Sequence, residues 1–181
     1  MRSRRSLPVE LLTVVAAAAV ATQVKTWAEA ALQPLAEKAL PPAPTEKTRL
    51  GADPGDHPEK MPPAELADRA GQAAGAEPLS DDQRQTSSQV LHWVMGMGSG
   101  TLYGLLAHRL PPVRAGRGTL FGAALFGATH GSLLPAVGAQ ASLFSLPRAW
   151  WVWEPGSHVV YGAALDFALT GLDAAVENAW G

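Results

Sequence analysis

Four apolar stretches, at residues 9–32, 90–107, 120–137 and 155–173, constrain this chain more than any other feature. A helix needs about 17–25 residues to cross roughly 30 Å of hydrocarbon. The middle two stretches meet that length with 18 residues each. The first and last meet it only if their polar ends, Lys25 to Glu29 and Glu154 to His158, belong to the helices. That condition sets ionisable groups at membrane depth.

Composition agrees with a membrane class. Charged residues are 17% of the chain, against roughly 25% in an ordinary soluble domain. Ten of the sixteen acids fall within residues 34–85, so the remainder is far more apolar than the average. A soluble enzyme with an evenly mixed surface is excluded. So is a nucleic-acid binder, because the net charge is −2 and no basic stripe exists. With no cysteine there is no disulfide, thiolate metal site or cysteine nucleophile. No nucleophile elbow or phosphate loop is present, so no enzyme is expected.

Small residues recur at helix-packing spacing. Gly96, Gly100 and Gly104 make one flat face, and Gly118/Gly122, Gly127/Gly131 and Ala164/Ala168 follow the same rule. Such glycine-zipper faces let helix backbones approach closely in lipid. In a soluble helix each glycine would cost about 1 kcal/mol relative to alanine.

The basic residues give an orientation. Arg2, Arg4 and Arg5 precede the first stretch, and Arg109, Arg114 and Arg117 fill the link between the second and third. The positive-inside rule places both groups in the cytoplasm. Trp27, Trp93, Trp150, Trp151 and Trp153 then all fall at outer ends, as an interfacial belt, with Trp180 on the inner side. The expected fold is all-α: a single-domain bundle of four transmembrane helices with both termini cytoplasmic. Residues 34–85 are expected as a long, largely irregular outer loop, with one short helix over 63–74. A competing reading of the N-terminus is a secretory signal cleaved after Ala21, which would remove the first span.

The polar residues inside these stretches mark the candidate site. Lys25 and Glu29 are four apart, close enough to pair on one helix face. His92 lies in the first turns of the second stretch, and His130 is the eleventh of eighteen residues in the third. Glu154 and His158 are four apart where the fourth begins. Charged groups are costly against lipid, so these six should face inward and pair in the outer half of the bundle. Each also has a structural explanation, such as a snorkelling pair, a packing histidine or a helix cap. Asp166 should face the bundle, with Tyr103 or Tyr161 as hydroxyl partner, whereas His57 and His108 look like loop residues. Histidines facing the outer compartment suit an acid-responsive switch. The same residues offer two other chemistries, a divalent metal held by His92, His130, His158 and Glu154, or haem ligated by two histidines. No dense ligand spacing supports either, and no cofactor or metal is expected.

At these residues the chain resembles the YagU-like family of small bacterial inner-membrane proteins, which has no established biochemical activity. The resemblance is carried by Val24-Lys25 with Trp27 and Glu29, by Leu40-Pro41-Pro42, and by Trp93. It continues in His130 with Pro135, and in Glu154 and His158 followed by Val159-Val160-Tyr161-Gly162. Residues 43–85 carry none of it. The resemblance implies an inner-membrane four-helix protein linked to acid tolerance. The functional expectation is therefore a non-enzymatic, multi-pass inner-membrane protein with a buried, outward-facing titratable cluster. The alternative is an accessory subunit of a larger membrane complex. The expected partners are the lipid bilayer and further copies or subunits, not nucleic acid.

Overall fold

A computed structural model describes residues 7–180. Arg2, Arg4 and Arg5, and the side chain of Trp180, lie outside what is described. Among the described residues the chain is all helix and turn, with no strand. The helices are α1 (Leu7–Ala39), α2 (Pro44–Lys47), α3 (Pro62–Ala73), α4 (Asp81–Ala107), α5 (Thr119–Ala128), α6 (Leu134–Ala136) and α7 (Trp150–Trp180).

Helices α1 and α7 are long and apolar enough to cross a membrane; the other two expected spans fall short of that mark. The apolar part of α4 is diluted by glycines and hydroxyls, and its polar start extends back to Asp81. That start is well defined: Ser80 accepts from the Gln83 amide, and Gln83 closes the capping box. The third stretch is interrupted. After α5 the backbone widens into one π-helical turn, Thr129–Leu133, before α6 completes the run.

Helix α1 packs along both α4 and α7, and α5 packs along the opposite side of α7. The glycines explain the first contact. A methyl group at Gly96, Gly100 or Gly104 would strike Thr22, Ala18 or Val14 respectively, an antiparallel register in steps of four. Gly118 and Gly122 lie equally close to the Gly162 and His158 carbonyls of α7. Gly127 and Gly131 do not pack in this way. A side chain at Gly127 would meet nothing within 4 Å, and one at Gly131 would approach only Phe126 of its own segment. The third stretch follows one glycine face for a single repeat and then turns away. Helices α4 and α5 pack on α1 and α7 but not extensively on each other, so the bundle is open along one side.

Residues 40–80 are folded, contrary to the expectation of a largely irregular loop. Helix α1 runs through Pro34 to Ala39, and α3 falls where the short surface helix was expected. Buried polar bonding holds this cap. The Gln33 amide donates to Asp53 Oδ1 at 2.6 Å, and Lys47 Nζ lies 3.1, 3.0 and 2.7 Å from Glu37, Asp53 and Asp56. Arg84 pairs with Asp68 and, at 2.7 Å, with Glu65. Arg69 donates to the carbonyls of Val137 and Gly138, both at 2.8 Å, tying α3 across to the end of the third stretch.

A second correction concerns tryptophan. Trp150 and Trp153 are fully buried with Ala36, Ala52, Leu146 and Ala149, while Trp27, Trp93 and Trp151 are exposed. The cap covers two rings that an uncovered bundle would have left at its surface.

Candidate functional site

The start of α7 determines the site. The helix begins at Trp150, five residues before the expected start, and runs through Pro155, so Glu154 is not a cap at its first turn. Glu154 and His158 lie one turn apart within it, on one face toward α1 and the third stretch. Glu154 is 1% exposed and His158 4% exposed. Lys25, on the facing side of α1, pairs with Glu29 one turn on and stands 3.6 Å from Glu154 Oε1. His130 enters from the π-helical turn, with Nε2 3.3 Å from the same oxygen. His158 Nδ1 is 3.2 Å from it. Five of the six residues picked from sequence therefore converge, with Lys25, His130 and His158 all on Glu154 and Glu29 joined through Lys25. The sixth, His92, lies beside them, with Nε2 3.4 Å from Thr26 Oγ1.

Glu154 Oε1 is buried and accepts no hydrogen bond. The His158 Nδ1 proton goes to the Glu154 carbonyl, 3.1 Å away and one turn back. Lys25 is too distant for a good bond. The state of His130 is set by a residue that sequence reasoning missed, Gln140. The Gln140 amide nitrogen donates to the His130 carbonyl at 3.2 Å, so its oxygen faces the ring and lies 2.6 Å from Nδ1. That oxygen can only accept, so Nδ1 carries the proton. In a neutral ring Nε2 then turns a lone pair toward the Glu154 carboxylate. One added proton converts this opposed pair into a charge-assisted hydrogen bond.

Aromatic rings enclose the histidines. Phe126 stacks on His130 with centroids 6.0 Å apart and planes at 14°, and meets His158 edge-on at 5.7 Å. The two imidazoles lie 5.2 Å apart.

The ligand atoms of His130, Glu154 and His158 lie within 4.8 Å of one another, a donor set that suits a divalent ion. The Lys25 ammonium beside the same oxygen already brings the positive charge such an ion would supply.

Elsewhere the expected Asp166 partner is Tyr103, whose hydroxyl donates to it at 2.8 Å, joined by Arg114 at 2.6 Å. Tyr161 instead donates to the Gly96 carbonyl at 2.6 Å. His108 caps α4 and lies 3.0 Å from Asp173 and 3.4 Å from Glu10, so it is an interhelical contact rather than a loop residue. His57 lies 3.3 Å from Glu59 in the cap. Gln140 and Arg114 carry no local signal of their roles, since both act on residues distant in sequence.

Compared with known families, residues 19–167 match the one described as "Protein of unknown function (DUF1440)". Nothing among curated proteins or solved structures matches the chain.

Proposed function

This chain belongs to the DUF1440 family, proteins of unknown function, and we propose that it is a non-enzymatic, four-span protein of the bacterial inner membrane that responds to acidity outside. Its termini are cytoplasmic, and the cap and the His130–Glu154 cluster face the outer compartment. Membership is compatible with the YagU-like resemblance, which supports the inner-membrane placement. Two apolar helices support membrane association. The antiparallel packing of α4 and α5 on them supports two further spans, each with a glycine face turned to a neighbour.

The acid response rests on one observation: buried Glu154 Oε1 lacks a hydrogen bond while His130 Nε2 faces it 3.3 Å away. The charged and titratable groups around this pair are Lys25 and Glu29 on α1, His92 on α4 and His158 on α7. Proton uptake at His130 changes the charge of a cluster shared by three helices, and with it their packing. The test is acid survival and pH-dependent thermal stability of cells and protein carrying His130→Gln or Glu154→Gln. Loss of both pH responses is expected; wild-type behaviour in both overturns the reading.

A second reading, an accessory subunit of a larger membrane complex, draws on the exposed apolar side chains of Phe144 and Phe167 and the uncovered Gly127. A stoichiometric partner on mild purification supports it, and a lone chain or homo-oligomer removes it.

A further inference from the structure

The open side of the bundle is a cavity of about 310 Å³ between α4 and α5. Its size is at the lower end of small-molecule sites. At about 30 Å³ per water-sized group it holds roughly ten such groups, enough for one medium-length alkyl chain but not two. Met95 and Gly98 of α4 face Leu125 of α5 across it, and Pro62 and Leu66 of α3 roof it.

The polar atoms along the lining decide what fits among these apolar walls. Each donor group there already has an acceptor. Ser99 and Tyr161 donate to the carbonyls of Met95 and Gly96 at 2.7 and 2.6 Å, and Thr129 to the Leu125 carbonyl at 2.7 Å. The Nδ1 protons of His130 and His158 go to Gln140 and the Glu154 carbonyl. Lys25 pairs with Glu29 and faces Glu154. Thr26 gives its proton to the Thr22 carbonyl, so its oxygen takes the Nε2 proton of His92. Acceptors are what remain open. Neither His158 Nε2 nor His92 Nδ1 has a partner among the described residues, and in a neutral ring each carries a lone pair. His158 is 4% exposed and lines the cavity, so its lone pair faces that space rather than bulk water.

Charge selects in the same direction. With the imidazoles neutral, Lys25 against Glu29 and Glu154 leaves one net negative charge, which turns away an anion. The Lys25 ammonium on the lining turns away a cation. An uncharged hydrogen-bond donor is the chemistry that fits.

We propose that this cavity binds an uncharged, single-chain amphiphile whose polar end is a hydroxyl, a medium-chain alcohol, which enters sideways from the bilayer between α4 and α5. The chain lies against Met95 and Leu125, and the hydroxyl donates to His158 Nε2. The proposal rests on the four-span reading, because the gap has to face hydrocarbon. Around it α4 and the third stretch expose Val94, Leu102 and Leu133, as lipid-facing helices do.

The test uses the full chain in nanodiscs, photolabelled with an octanol that carries a diazirine on its chain and mapped by mass spectrometry. Labelling is expected on α4 and α5 around Met95 and Leu125, and excess octanol should block it saturably. 1-Methoxyoctane shares the chain but cannot donate, so it leaves the buried acceptor unpaired and should need about tenfold more in the bilayer to block. Octyl sulfate and octylammonium should not block. Gly98→Leu fills the cavity from a position where an added Cβ meets no atom within 4 Å, and should lower labelling about tenfold while keeping the wild-type melting temperature. Met95→Trp, on the same wall, reads out the same loss should the first variant not fold. Labelling that octanol does not block overturns the proposal. Equal blocking by the methyl ether also overturns it, because the cavity then takes any alkyl chain. So does blocking by either charged analogue, or labelling unchanged in both variants. Carbonate extraction of native membranes separates two failures. A chain released by carbonate contradicts the membrane reading, whereas one that stays without blockable labelling contradicts the ligand alone.

Discussion

Gln140 holds His130 from both sides, with its amide nitrogen on the backbone carbonyl and its oxygen on Nδ1. Without that clamp the ring could carry its proton on Nε2 and satisfy Glu154 in the neutral state. Gln140→Leu removes two hydrogen bonds at about 0.5–1.5 kcal/mol each. At about 2–4 °C per kcal/mol for a chain of this size, the melting temperature should fall by several degrees. Nitrogen-15 spectra of labelled histidine should show the His130 proton moving from Nδ1 to Nε2. A ring that keeps Nδ1–H in the variant contradicts the assignment.

Lys25 and Glu154 form a buried pair on facing helices. Removing one partner strands the other, typically at about 3–5 kcal/mol. Because Glu29 also faces Lys25, Glu154→Leu should cost near the lower end, and Lys25→Met with Glu154→Leu should recover part of it. Thermal melts of both singles and the double give the coupling. Additive losses would mean that the two side chains do not interact.

Gly122 and Gly127 looked alike in sequence but differ in surroundings. Gly122→Ala drives a methyl into the His158 carbonyl and should cost about 1–3 kcal/mol, the usual range for overpacking. Gly127→Ala meets no atom and should be neutral, or stabilising by up to about 1 kcal/mol through helix propensity. Equal melting temperatures for the two variants would contradict the packing of α5 on α7.

That contrast shows where sequence reading works and where it stops. Pairs set by helical spacing, Lys25/Glu29 and Glu154/His158, were legible because one backbone geometry fixes both members. The depth of His130 followed from its place in an apolar run. Gln140, Arg114 and Arg69 were not legible, because each meets its partner only after the helices pack. The fold of residues 40–80 was hidden for the same reason: its proline-rich, charged sequence looks solvated until Asp53, Lys47 and Gln33 are seen to satisfy one another. The burial of Trp150 and Trp153 follows from that cap.

The cap should weaken in strong acid. Burial alone would raise the Asp53 carboxyl, but Lys47, the Asp56 amide and Gln33 outweigh it and hold it below the usual range. Glu65 is likewise lowered against burial by Arg84 and Arg69. A carboxyl depressed in the folded state adds stability above its unfolded value, about 4, and loses it as pH falls through the folded value. The protection factors of amides in residues 44–80, relative to the intrinsic rate at each pH, should therefore be high at pH 7 and fall below about pH 4. Protection unchanged down to pH 3 would contradict these pairings.

The most direct test of the central claim is nitrogen-15 spectroscopy of histidine-labelled protein in nanodiscs, titrated from pH 8 to pH 4. The geometry predicts that His130 keeps Nδ1–H throughout and gains a second proton at Nε2 as the pH falls, a gain altered by Glu154→Gln. An Nε2–H neutral ring at pH 8, or a titration indifferent to Glu154, would contradict it.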